Sequence, residues 1–242
     1  MSDASARIRS LVARGVVDAG LAAHLSILLD AGVPLTLVSP TGSPTSIFAD
    51  AFASSLRIDG SRPDADVIEV AGDHGFEWLA DPVGIGCLDP RAGTAVRPGG
   101  SMLLWIRHLL DGLDPQVART ALRALARGHR AIVEARATDL ASLLDALRAS
   151  PIRLPEDDLQ RLGVVLQLDG TRVVAGHLLH PPTGPSRRAP TLLVTWDVAR
   201  EAWDDFAWAA LPFFAERSRL GQQQYDRIHR ARSGILEGSA DA

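Results

Sequence analysis

The sequence predicts an α/β fold in which a mostly parallel sheet is flanked by helices. The apolar runs Leu35–Val38 and Met102–Ile106 are short and continuous, which is typical of strands buried on both faces. Segments with apolar residues at helical spacing separate such runs. Two later apolar runs flank Asp169-Gly170, a dipeptide that favours a two-residue turn, so we expect a β-hairpin extension of the sheet.

The chain is expected to form a single domain over residues 1–236. Residues 1–31 should hold two helices, residues 197–236 a helical C-terminal segment, and residues 237–242 a disordered tail. The other predicted elements are the strands Val67–Val70, Val83–Leu88, Ala131–Ala135, Leu162–Leu168, Thr171–Leu179 and Leu192–Trp196, and the helices Ser46–Leu56, Pro115–Gly128, Thr138–Ala149 (capped by Thr138 or Asp139), Val198–Ala215 and Arg219–Ser233.

The composition is that of a soluble globular protein, with 46% hydrophobic residues. No run reaches the ~18 apolar residues that a membrane span needs, so we expect a cytoplasmic protein that meets the inner membrane only through partners. The net charge of −4 predicts no general affinity for nucleic acid. The single cysteine, Cys87, excludes an intrachain disulfide and a multi-cysteine zinc site, and its apolar surroundings indicate a small buried hydrophobe.

The segment Ser39–Ser46 lies between a predicted strand and a predicted helix, which is the layout of a phosphate-binding P-loop. Its spacing fits the pattern G-x-x-x-x-G-K-[ST]. Ser39 stands at the first glycine, Pro44 at the second and Thr45 at the lysine, while Ser46 agrees with the pattern. The degenerate nucleotide-binding loop would comprise Ser39, Thr41, Gly42, Ser43, Pro44, Thr45 and Ser46.

These changes remove the chemistry with which a P-loop binds phosphate. Backbone N–H groups normally converge on the anion at a helix N-terminus, but Pro44 has no N–H and fixes its own φ. Thr45 carries no charge and cannot contact the β- and γ-phosphates as lysine does. Because the chain contains no lysine, no other lysine of the chain can replace it. The alternative interpretation is a plain strand–turn–helix with no ligand.

A second stretch, Val117–Leu168, contains a helix of small and apolar residues, the pair Gly128-His129, a strand, a helix and the strand Val164–Leu168. This order resembles the type II/type IV secretion ATPases, the hexameric motors of secretion systems and type IV pili. With the P-loop-like segment, the resemblance covers about two-thirds of the chain, residues 21–179. It implies a P-loop NTPase-like (RecA-like) fold, and ATP and magnesium as the ligands of the family.

The positions that carry catalysis in that family are changed here. Met102–His108 resembles the Walker B strand, but Trp105 stands at the glutamate, and only Arg107 matches the arginine of the pattern. In the histidine box, which begins at Gly128-His129, the family's later histidine is Arg136. A tryptophan can neither polarise water nor position magnesium. The resemblance therefore implies no catalytic residue, no resident metal, and ATP with magnesium only if residual binding survives.

Three other groups of residues have two interpretations each. The acidic residues Glu69, Asp73 and Glu77 do not keep the spacing of the family's acidic box. Asp73, His74 and Glu77 form either an acid/base or metal cluster or a solvated loop. The arginines either bind an anion or a neighbouring subunit, or face solvent: Arg127, Arg130 and Arg136. The aromatic residues form either a docked helix or a partner surface: Trp196, Trp203, Phe206, Trp208, Phe213 and Phe214.

The favoured interpretation is a non-catalytic relative of secretion ATPases that binds other proteins of a pilus or secretion apparatus, including an active ATPase relative. One alternative is a divergent ATP-binding enzyme of the same family, which would hold nucleotide through Thr41, Gly42, Ser43 and Ser46. A second alternative is a stand-alone regulatory domain.

Overall fold

The computed structural model describes residues 3–40, 45–55, 67–70, 103–126, 130–182 and 188–238. The predicted strand Val83–Leu88 lies outside these residues.

Helices and strands alternate through most of the described chain. The helices are α1 (Asp3–Ala13), α2 (Ala19–Asp30), α3 (Thr45–Ser55), α4 (Pro115–Ala126), α5 (Leu140–Arg148), α6 (Glu156–Leu159), α7 (Leu211–Ser218) and α8 (Gln222–Glu237), with a 3-10 turn at Ala207–Ala210. The strands are β1 (Leu35–Ser39), β2 (Val67–Val70), β3 (Leu103–Ile106), β4 (Arg130–Arg136), β5 (Val164–Asp169), β6 (Arg172–Leu178), β7 (Thr191–Asp197) and β8 (Ala202–Asp205).

The described strands form one eight-stranded sheet in the order β2-β3-β4-β1-β5-β6-β7-β8. Strands β2, β3, β4, β1 and β5 are parallel to one another, and β6, β7 and β8 are added in antiparallel fashion. The predicted α/β architecture, a mostly parallel sheet flanked by helices, is confirmed. The continuous apolar runs became the central strands β1 and β3, whose residues are all buried.

Two apolar cores lie on the two faces of the sheet. Helices α1, α2, α3, α7 and α8 pack on one face, where Leu35 and Leu37 of β1 point. Helices α4, α5 and α6 pack on the other face, where Val38 of β1 points. Because successive side chains of a strand alternate between faces, β1 contributes to both cores and is fixed from both sides.

The predicted hairpin is present, since β5 and β6 pair in antiparallel register. Asp169 pairs with Arg172 at the end of the ladder, so the turn falls on Gly170 and Thr171, one residue later than predicted. Gly170 has a φ of 57°, a conformation that costs a glycine little. Of the two predicted N-caps of α5, Asp139 is the one observed. Its side chain accepts a hydrogen bond from the backbone N–H of Ser142.

The predicted helix Val198–Ala215 is wrong in its first half, where the chain turns and forms β8. Trp196 and Trp203 are opposite each other in the β7–β8 pair, with ring centroids 4.7 Å apart. This cross-strand aromatic contact stabilises a hairpin. Trp203, which contributed to the aromatic spacing that predicted a helix, packs across the hairpin instead. The predicted tail is also too long, since α8 includes Glu237 and ends at Gly238, which has a φ of 79°. Residues 239–242 lie outside the described residues.

Candidate functional site

The carboxyl end of β1 lies at a point where the chain connections diverge. From β1 the chain runs through α3 toward β2, whereas from the adjacent β4 it runs through α5 over to β5 on the other side of β1. Helices α3 and α5 lie on opposite faces of the sheet. In open α/β sheets a crevice between strands with diverging connections is the usual place for a ligand.

A cavity of about 200 Å³ lies at this position. Its walls come from the ends of β1 and β4, the first turn of α3 and the residues after β3. The lining residues are Ser39, Thr45, Ser46, Arg107, His108, Glu134, Ala135 and Arg136. Five residues that the sequence analysis assigned to degenerate motifs are thereby brought together: Ser39, Thr45, Ser46, Arg107 and Arg136.

The carboxylate of Glu134 lies at the centre of the polar contacts in this region. Only 7% of the residue is exposed, although it lies on a strand whose other central residues are apolar. Its Oε1 accepts a hydrogen bond from the indole Nε1 of Trp105 at 2.6 Å, and its Oε2 accepts one from the hydroxyl of Thr45 at 2.5 Å. Each carboxylate oxygen therefore has a donor from a different element, β3 on one side and α3 on the other.

Arg107 lies next to this carboxylate and forms a small charged cluster. Its Nε is 3.2 Å from Oε1 of Glu69 and 3.9 Å from Oε1 of Glu134. Its guanidinium also lies 4.2 Å from the centre of the Trp105 ring, a cation–π distance. The positive charge of Arg107 is thus shared between two carboxylates.

Backbone hydrogen bonds fix the ends of the strands around the cavity. The N–H of Arg107 donates to the carbonyl of Val70, and the N–H of Leu109 donates to the carbonyl of Glu134 at 2.9 Å. Between them His108 has a φ of 52°, a left-handed conformation that turns the chain sharply at the end of β3. On the opposite wall the guanidinium of Arg136 is 3.1 Å from the carboxylate of Asp111.

Within the described part of the chain, the ion-paired charges around the cavity add to a negative total. The ion-paired groups are Arg107 and Arg136 on one side and Glu69, Asp111 and Glu134 on the other, which gives two positive and three negative charges. The hydroxyl of Thr45, in the first turn of α3, donates to the carboxylate of Glu134. No group of three or more histidine, cysteine and acidic side chains that could hold a metal ion is found among the described residues.

Several predicted residues lie outside the described residues, so the structure does not place them. They are Thr41, Gly42, Ser43 and Pro44 of the loop, Arg127, Gly128 and His129 of the histidine box, and Asp73, His74, Glu77 and Cys87. Of the acidic residues near the predicted acidic box, Glu69 reaches the charged cluster through Arg107.

Glu134 is the residue of this region that sequence reasoning missed. The signal was available, since a carboxylate within the run Ala-Ile-Val-Glu-Ala is out of place in a strand buried on both faces. Buried carboxylates are rare unless other groups bind them, so such a residue points to donors elsewhere in the fold. Its partners could not be read from the sequence, because Thr45 is 89 residues away.

The aromatic residues of the C-terminal third separate into two groups. Trp203 is half-buried and its indole Nε1 donates to the carbonyl of Val173 at 2.9 Å, while Phe214 is fully buried. Trp208, in contrast, is 69% exposed and lies in the 3-10 turn before α7. Of these aromatic residues Trp208 is the exposed one, and the partner surface of this segment stays a prediction.

No protein-family model matches the chain, and no curated protein does. In the part of the chain that the structure describes, no helix is both long and apolar enough to cross a membrane.

Proposed function

We propose that this protein is a non-hydrolysing relative of the type II/type IV secretion ATPases, with a P-loop NTPase-like (RecA-like) domain, and that it acts by binding other proteins of a pilus or secretion apparatus. The observation that carries the non-hydrolysing part is the position of Glu134. Its carboxylate accepts the hydroxyl of Thr45 in the first turn of α3, where a P-loop would hold a phosphate.

The layout of the segment supports a P-loop origin. A central parallel strand, β1, leads through a short segment into α3, and this occurs at the crevice where ligands bind in open α/β sheets. The chemistry of the segment supports the loss of ATP binding. Two like charges ~4 Å apart repel each other by on the order of 4 kcal/mol at an effective dielectric constant of ~20. This repulsion is enough to weaken phosphate binding by roughly a thousandfold.

Hydrolysis would also lack its essential groups. The glutamate of the Walker B pattern is replaced by Trp105, whose indole donates to Glu134. Glu134 is itself a carboxylate, but both of its oxygens already accept hydrogen bonds from the protein. These two hydrogen bonds hold the carboxylate toward Trp105 and Thr45, so it serves as a structural acceptor in this site.

The protein-binding part of the proposal follows from the resemblance and from one exposed side chain. Members of the family act as rings, in which neighbouring domains touch. A domain without its nucleotide chemistry keeps only such contacts as its means of action. The exposed Trp208 is a side chain of the type that dominates the binding energy of protein interfaces.

The experiment is a direct measurement of nucleotide binding and hydrolysis. We expect purified protein to hydrolyse no ATP above background with magnesium present, and calorimetry to detect at most weak binding. Ser46→Ala tests the remaining P-loop position, and Ser233→Ala on α8 is the matched control. Steady magnesium-dependent turnover that Ser46→Ala abolishes and Ser233→Ala leaves intact would overturn the proposal in favour of a divergent ATPase.

A further inference from the structure

We propose that Arg161, Arg188 and Arg217, together with His180, form a binding site for a phosphate-type oxyanion. These residues come from three separate parts of the chain: the segment after α6, the segment between β6 and β7, and α7. The site does not depend on the function proposed above, because it shares no residue with the cavity at Glu134.

The arginine cluster lies at the opposite ends of the strands from that cavity. Arg161 precedes β5, and β5 runs parallel to β1, so Arg161 lies toward the amino-terminal ends of the parallel strands. Strand β6 is antiparallel to β5 and ends at this same edge, just before His180. The cavity at Glu134 is at the carboxyl ends of β1 and β4, so the two sites are separated by the length of the strands.

The ring of Phe213 brings three members of the cluster together. The imidazole of His180 meets this ring edge-on at a centroid distance of 4.6 Å. The guanidinium of Arg188 lies 4.9 Å from the centre of the same ring. Arg217 is four residues after Phe213 on α7, so it lies on the same face of that helix, one turn further along.

Arg217 has a hydrogen-bond donor that the protein leaves unused. Its Nη1 is buried from solvent and has no hydrogen-bond partner. A buried cationic donor without a partner is strongly unfavourable, and in a native protein it calls for an explanation such as a bound ion. The neighbouring Gln160 also has a buried and unpartnered atom, its amide oxygen, which is an acceptor and would suit a water molecule better than an anion.

Positive charges act on both of the buried titratable groups of the cluster, Arg217 and His180. Burial lowers the pKa of Arg217, and the nearby charge of Arg161 lowers it further. Burial also lowers the pKa of His180, and the charges of Arg188 and Arg217 add to this effect. The carboxylate of Glu216 acts in the opposite direction and raises the pKa of both groups.

The chemistry of the cluster favours phosphate over a single carboxylate. A planar carboxylate is matched by one guanidinium in a two-point contact, whereas a tetrahedral oxyanion offers oxygens in several directions. Arginines that approach from three chain segments fit the second arrangement. A phosphate would supply the partner that Nη1 of Arg217 lacks and would compensate the repulsion among the arginines.

The test measures binding of inorganic pyrophosphate by calorimetry at fixed ionic strength, with citrate as the carboxylate comparison. We expect pyrophosphate to bind more tightly than citrate. Arg217→Gln and Arg188→Ala should each weaken pyrophosphate binding by roughly tenfold or more, as expected for the loss of a charge-assisted hydrogen bond. Arg230→Gln, on the exposed side of α8, removes an arginine outside the cluster and should leave binding unchanged.

The imidazole of His180 supplies a second readout that does not require a variant. Its nuclear magnetic resonance titration should move to higher pH when pyrophosphate is added, because a bound anion offsets the neighbouring arginines. Absence of pyrophosphate binding, equal binding in all three variants, or tighter binding of citrate would each overturn the proposal. If Arg217→Gln does not fold, Arg188→Ala and the His180 titration decide the matter, since Arg188 is exposed.

Discussion

At the scale of single residues, Glu134 connects three elements that are distant in the sequence. It lies on β4 and accepts hydrogen bonds from Trp105 on β3 and from Thr45 on α3. A buried carboxylate is stable only when donors compensate for the water it has lost, and here both oxygens are compensated. The contact therefore stabilises the fold where β3, β4 and α3 meet.

The first prediction concerns Glu134→Gln. A glutamine offers one uncharged oxygen to the indole N–H of Trp105, and its NH₂ group requires the Thr45 hydroxyl to accept instead of donate, so both charge-assisted hydrogen bonds are lost. We expect the free energy of unfolding to fall by ~1–3 kcal/mol, measured by urea denaturation. Glu237→Gln, at the exposed end of α8, should change stability little.

The double variant Glu134→Gln with Trp105→Phe separates this hydrogen bond from general disruption. Trp105→Phe removes the indole donor, so in that background Glu134→Gln no longer weakens a hydrogen bond to Trp105. The two changes together should destabilise the protein by less than the sum of the single changes. Strict additivity would show that the hydrogen bond between Trp105 and Glu134 contributes nothing to stability.

At the scale of elements, α8 is attached to α2 through a buried polar contact. The hydroxyl of Tyr225 lies 2.8 Å from Nδ1 of His24, and both residues are buried. The ring of His229 stacks on that of His24 at 3.7 Å, and its Nε2–H donates to the carbonyl of Gly20 at 3.0 Å. The docking of the C-terminal helix thus requires an uncharged His24 in the interior.

The pKa of His24 makes this contact sensitive to acid. Burial, and secondarily the charge of His229, lowers the pKa of His24 from 6.5 to about 3. The folded protein therefore holds His24 neutral under conditions where the unfolded chain would protonate it. The stability associated with the neutral form is complete above pH 6.5 and is lost progressively as the pH falls toward 3.

The second prediction is that the free energy of unfolding falls by about 2 kcal/mol from pH 7.5 to pH 5 through His24 alone. Urea denaturation at several pH values in this range measures it, before most carboxylates titrate. His24→Gln should remove most of this dependence of stability on pH. The control variant is His177→Gln, at a half-buried histidine outside the α2–α8 contact. If His24→Gln keeps the parent slope and His177→Gln loses it, the acid sensitivity does not come from the α2–α8 contact.

At the scale of the whole molecule, two tryptophans close together in sequence have different roles. Trp203 packs against the core and donates to the carbonyl of Val173, so it belongs to the fold. Trp208 is 69% exposed, so the fold does not require its side chain to be buried. An exposed tryptophan with no structural role is a candidate contact for a partner.

The third prediction compares Trp203→Ala with Trp208→Ala. The change at Trp203 should lower the thermal unfolding temperature, because it removes apolar contacts and leaves a carbonyl without its donor. The change at Trp208 should leave this temperature nearly unchanged but reduce capture of secretion or pilus proteins from the native host. A size measurement in solution should give an assembly smaller than a stable homohexamer. Recovery of no secretion or pilus component, with or without Trp208, would favour the stand-alone regulatory interpretation.

Much of the candidate site was accessible from sequence, because its residues belong to local patterns. Ser39, Thr45 and Ser46 fall within one strand–loop–helix signature, and Arg107 ends a continuous apolar run. Such signals depend on neighbours in the chain, which also explains why most predicted helices and strands are present. Glu134 belongs to no motif, and its role became visible only when its donors were located.

By itself, the sequence determined the type of most elements and the absence of lysine. The tertiary structure decided the order of the strands and the meeting of Glu134 with Thr45, since parallel pairing joins residues that no local pattern relates. It also decided that residues 202–205 form a strand, because Trp203 has its partner, Trp196, on a neighbouring strand and not on a helix. In each case the deciding free energy comes from contacts between distant segments, which override the preferences of the local sequence.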